Sequence, residues 1–143
     1  MILSIIIVSG CVGQSNQEQN QRDTYNFETV KDAYESGFQL KCELESPENY
    51  RSTYYIANKN IRIEIAVPAG TTYKIVNYNN QTFNWTEVNE GVPDPDRLLR
   101  QAEFVLKFVG NSTLGRSILL GTSLTDRMCI EQTVPQSLFE PPQ

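Results

Sequence analysis

Cys11, Cys42 and Cys129 are the only thiols in the chain, and there is no histidine to activate or accompany them. A thiol can be alkylated, paired in a disulfide or used as a metal ligand. Metal ligation fits worst, because two distant cysteines without histidine do not complete a tetrahedral set. The missing imidazole also removes the commonest general base, and with it Ser-His-Asp and Cys-His catalysis. Asp94 and Asp96 are the nearest approach to a carboxylate pair, yet they flank Pro95 at the head of an apolar periodic stretch. That is how a helix start is written, and the central glycine of a calcium loop is absent. No catalytic residue, metal or cofactor is expected, and the chain is read as a non-enzyme.

Composition narrows the partners further. The 143 residues suit one domain, and twelve basic against seventeen acidic side chains leave a formal charge of −5. No basic surface of the kind that neutralises nucleic-acid phosphates is implied.

The N-terminus reads as an address. Ile2 to Val8 is nearly unbroken aliphatic, then Ser9, Gly10 and Cys11 give way to the polar tract Gln14-Ser-Asn-Gln-Glu-Gln-Asn-Gln-Arg-Asp23. The apolar run is far shorter than the roughly 20 residues of a transmembrane helix and has the length of a signal-peptide core. Val8-Ser9-Gly10-Cys11 resembles the lipobox of prokaryotic lipoproteins, archaeal ones included. The resemblance implies that the Cys11 thiol takes a diacylglyceryl group and that cleavage before it makes Cys11 the first mature residue. No Lys or Arg precedes the apolar run, so the start of the natural chain is expected upstream of Met1. Two acyl chains anchor stably where one binds only reversibly. Residues 1–10 are therefore expected to be the signal segment and 11–24 a lipidated cysteine with a disordered polar tether, leaving 25–143 as the single folded domain. The expected place is the outer face of the cytoplasmic membrane.

With Cys11 consumed by lipid, Cys42 and Cys129 are an even pair in an exported chain, and a disulfide between them is expected.

Elements come from periodicity. Asn26 to Ser36, stopped by Gly37, has helical spacing of Phe27, Val30, Ala33 and Tyr34. Phe38 to Glu45 alternates strictly, as a strand with one wet face does. Arg51–Ala57, Ile61–Val67, Thr72–Tyr78 and Thr82–Glu87 follow as strands separated by Asn- and Pro-rich turns, the last pair hinged at Asn79-Asn80. Asp94 as N-cap and Pro95 open a longer helix, with Leu98, Leu99, Ala102, Val105, Leu106 and Val109 as the stripe that covers the sheet, closed by Gly110. Ser117–Leu120 and Arg127–Glu131 read as short strands, and Pro135 to Pro142 as an extended tail. The expected fold is α+β: a curved antiparallel meander of about five to seven strands, a short N-terminal helix and one longer covering helix.

Lys41-Cys42, Tyr55-Ile56-Ala-Asn-Lys59-Asn-Ile61-Arg62-Ile63, Phe83-Asn-Trp85 and Cys129 ahead of Phe139-Glu-Pro-Pro142 are together similar to a group of small exported prokaryotic proteins of uncharacterised function. That resemblance covers residues 28 to 142. It implies the same cysteine pairing and a layout like the curved half-barrels of periplasmic lipoprotein carriers, and it carries no catalytic residue.

Tyr54, Tyr55, Tyr73, Phe83 and Trp85 crowd the middle strands, with Tyr78 nearby. Packing as core is the preferred reading, and walling a pocket for an acyl chain or other apolar ligand is the sharper one. Asn80, Asn84 and Asn111 each head an Asn-x-Thr acceptor pattern for glycosylation. The function expected is that of a membrane-anchored binding or interaction module, its partner an apolar small molecule or an envelope protein. The alternative is a structural or stress-related envelope protein with no small ligand.

Overall fold

The computed structural model describes residues 23–45 and 49–142, so Cys11, the lipobox and the tether up to residue 22 lie outside the described residues. Seven strands form one antiparallel sheet: β1 (Thr24–Tyr25), β2 (Leu40–Glu45), β3 (Arg51–Ala57), β4 (Asn60–Val67), β5 (Gly70–Val76), β6 (Thr82–Val88) and β7 (Met128–Glu131). Their order is β1-β7-β2-β3-β4-β5-β6. The helices are α1 (Val30–Glu35), α2 (Arg97–Phe108) and α3 (Thr113–Leu120), and a single 3-10 turn spans Gln136–Phe139. The protein is thus α+β and mostly sheet.

The meander follows from alternation and turn chemistry. Along β4 every second residue from Ile61 to Val67 is buried, while Arg62, Glu64 and Ala66 are only partly so. β3 turns into β4 through Asn58 and Lys59, both at positive φ (53° and 68°), which is the twist a two-residue hairpin requires. Asn80 supplies positive φ (64°) at the β5–β6 turn. The last strand, β7, lies between β1 and β2 and places Cys129 directly opposite Cys42. The two cysteines form a disulfide, with both residues fully buried. Closing so long a loop removes unfolded-chain entropy equivalent to about 4 kcal/mol.

Several boundaries differ from the sequence reading, each for a local reason. α1 starts at Val30, not Asn26, because Thr29 and Asp32 form a reciprocal capping box. Thr24, assigned above to the tether, pairs with Ile130 in β1. Asp96, not Asp94, caps α2: its Oδ1 accepts from the Leu99 amide at 2.8 Å, and Asp94 instead pairs with Arg100 at 2.8 Å. Ser117–Leu120 is not a strand but the end of α3, launched when the Ser112 hydroxyl accepts from the Gly115 amide at 3.1 Å. The tail is not fully extended, since it makes its 3-10 turn and buries Phe139.

Cover of the sheet is also shared, not the work of one helix. α2 crosses β4, β5 and β6, while α1 and α3 pack on each other beside it. Val30, Ala33, Ala102, Leu106 and Leu119 meet Leu40, Tyr54, Ile56, Ile61, Ile63 and Ile65 in one apolar cluster. α3 fits against the end of α2 only because position 115 is glycine: a Cβ there would stand 2.2 Å from the Phe108 carbonyl oxygen. The opposite face of the sheet carries a smaller cluster of Ala57, Ile75, Val134 and Phe139, bordered by Tyr55, Phe83, Trp85 and Leu138.

Candidate functional site

The five aromatic residues proposed as a pocket wall do not face one space. Tyr54 and Tyr55 are successive on β3, so their side chains leave opposite faces of the sheet. Tyr54 is buried in the helix-side cluster, with the Arg127 guanidinium 4.9 Å above its ring. Burial raises the Tyr54 phenol pKa, and the positive charge of Arg127 works against the rise.

Tyr55, Tyr73, Phe83 and Trp85 share the other face, and that face is already filled. Tyr73 and Trp85 stack with centroids 4.8 Å apart. Arg62 lies over both, 4.9 Å from the Tyr73 ring and 5.4 Å from Trp85. Its Nε pairs with Glu64 at 2.7 Å and its Nη1 donates to the Leu138 carbonyl at 2.9 Å, which ties the C-terminal tail to the sheet. Cation–π contact and charge-assisted hydrogen bonds thereby satisfy the guanidinium within the fold. Desolvation is the main cause of a raised Tyr73 pKa, with the nearby Glu87 and Glu64 carboxylates adding to it.

Lys74 is a residue that the sequence reading passed over. Its position on β5, opposite Ile63, sends it into the helix-side face, where it is fully buried. The amine donates to the Leu106 carbonyl at 2.7 Å and to Asn111 Oδ1 at 2.6 Å. It therefore satisfies a free carbonyl in the last turn of α2, at the negative end of the helix dipole. Burial pulls its pKa down from 10.5 to about 8. Register alone was the available signal, since Thr72, Lys74 and Val76 must point the same way.

The three glycosylation-pattern asparagines are all exposed, but they do different things. Asn80 accepts from Arg116, and Asn84 sits on edge strand β6 opposite Lys74. Asn111 bridges Lys74 and the Lys107 carbonyl, so its amide closes the end of α2.

Apolar side chains surround α2. Leu99, Ala102 and Leu106 are buried, whereas Leu98, Phe104, Val105 and Phe108 are exposed. α3 repeats the pattern, with Gly115 and Leu119 inward and Leu114 and Ile118 outward. Phe104 and Phe108 touch edge to face at 5.2 Å, and an exposed apolar patch of this kind marks interaction sites. The stripe read from the sequence placed Leu98 and Val105 against the sheet, and the structure turns both outward.

Among the described residues no group of three metal-ligating side chains occurs, and no helix is long and apolar enough to cross a membrane. Compared with known proteins, the chain matches no family model, no curated protein and no solved structure.

Proposed function

We propose that the chain is a lipid-anchored extracytoplasmic module, held at the outer face of the cytoplasmic membrane through Cys11, that acts by surface contact and not by catalysis. The observation that carries this reading is the buried Cys42–Cys129 bridge. Stable structural disulfides belong to oxidising compartments. Their pairing leaves Cys11 as the one remaining thiol, in the setting Val8-Ser9-Gly10-Cys11. Asp94 and Asp96, the only neighbouring carboxylates considered for acid–base work, are occupied by Arg100 and by the α2 cap.

Between the two forms of this reading, an apolar-ligand carrier and a module without a small ligand, the second draws more support. The aromatic face that would have walled a ligand is taken up by Arg62, Leu138 and Phe139 of the same chain. The partner is then an envelope surface, protein or lipid.

Metabolic labelling with a radioactive fatty-acid precursor tests the anchor. Label is expected on the wild-type protein and absent from Cys11→Ser; equal label on both overturns the reading.

A further inference from the structure

The outer surface of α2 and α3 is built in a way that core packing does not explain. Phe104 and Phe108 are 66% and 60% exposed, one helical turn apart and in edge-to-face contact at 5.2 Å. They stand opposite the buried Leu99 and Leu106, with Val105 and Leu98 beside them. Leu114 and Ile118, one turn apart on α3, are 71% and 53% exposed. A shallow hollow of about 420 Å³ opens among Arg97, Arg100, Gln101, Phe104 and Val105. Isolated exposed apolar residues are ordinary, but paired aromatics at helical spacing on the outer face of a helix are not needed to fold it.

Charge singles out the same two helices. They carry Arg97, Arg100, Lys107 and Arg116 against Glu103 alone, in a chain whose formal charge is −5. Arg100 is shared with Asp94 and Arg116 with Asn80, whereas Arg97 and Lys107 project from the exposed side of α2. Basic side chains bordering Phe and Leu on a short helix are the make-up of an element that lies in a lipid interface.

We propose that the exposed face of α2 docks on an anionic lipid surface, with Phe104 and Phe108 entering the boundary between headgroups and acyl chains and Arg97 and Lys107 meeting lipid phosphates. The inference deepens the anchor reading and rests on it for proximity. The chain from Cys11 to Asp23 spans at most about 40 Å. An acylated Cys11 therefore holds the domain beside lipid, where a surface of modest intrinsic affinity is sufficient. A second copy of the chain is the poorer occupant, because two such faces would bring like charges together.

The test uses the full chain bearing Cys11→Ser, so that no acyl group contributes, in sedimentation with vesicles of phosphatidylcholine alone or mixed with phosphatidylglycerol. Binding by residues Ile2–Val8 is common to all variants and cancels in the comparison. Phe104→Ser/Phe108→Ser is expected to weaken binding to the anionic vesicles about tenfold or more. Arg97→Gln/Lys107→Gln is expected to flatten its salt dependence, and neither change should shift the thermal melting of these exposed positions. Vesicle binding by the Phe variant equal to that of its parent overturns the proposal. So does self-association in sedimentation equilibrium that the Phe variant abolishes while vesicle binding stays the same, which assigns the face to a second copy. A missing fatty-acid label with the vesicle difference intact overturns the anchor alone, and a present label with no vesicle difference overturns the docking face alone.

Discussion

The two faces of the sheet are made by alternate residues of the same strands, yet they are closed by different means. On the helix side, Ile61, Ile63 and Ile65 meet Ala102, Leu106 and Leu119 in a dry layer that also holds the disulfide. On the other side Arg62, Glu64, Tyr73 and Trp85 form a stacked ionic and aromatic layer, roofed by one turn of the tail at Leu138 and Phe139. Apolar burial closes the first face and would be insensitive to salt. The second relies on a cation lying over two stacked rings and on a short segment of the tail, the kind of region that opens locally before the rest unfolds.

The largest effect expected is on the clasp of the helix side. Cys42→Ala/Cys129→Ala should lower stability by about 4 kcal/mol in urea unfolding. A loss below about 1 kcal/mol would remove the bridge from the account of that face. Next comes a direct contrast between the faces. Ile63→Ala should cost about 3 kcal/mol and lower amide protection across the whole sheet, while Phe139→Ala should cost about 2 kcal/mol and release protection chiefly around residues 134–139. Equal global losses from both would erase the distinction. The last effect concerns Lys74, a cation fully buried in the helix-side face. With the Lys74 pKa at about 8 in the folded chain and 10.5 outside it, the unfolded state holds the extra proton between those values. Stability should therefore rise as pH climbs through that window and be level below it. Lys74→Met should abolish the rise, and an unchanged slope would mean that another group titrates there.

Much of this arrangement was legible because strands with one dry face announce their register. Ile61-Arg-Ile-Glu-Ile-Ala-Val67 specifies β4 and both of its faces, and the Cys42–Cys129 pair follows from setting Cys11 aside as the lipidated cysteine. The helices were less so. A run such as Ser117-Ile-Leu-Leu120 has no period of its own, and the Ser112 cap five residues earlier decides it. In α2, apolar residues all round the helix give two candidate inner faces, and only the packing of Leu99, Ala102 and Leu106 against the sheet chooses between them. The five aromatics, read first as core and second as a pocket wall, do pack against the core clusters, and strand alternation puts Tyr54 on one face of the sheet and the other four on the opposite one.

The strand order β1-β7-β2 has a consequence for how the molecule is made. Among the described residues β1 pairs with β7 and with no other strand, and β7 is the last strand in sequence order. Thr24 and Tyr25 must therefore wait for Met128 to Glu131 to leave the ribosome before that edge can assemble. The β1–β7–β2 edge is therefore the last part of the sheet to close, and the Cys42–Cys129 bridge waits on the same strand.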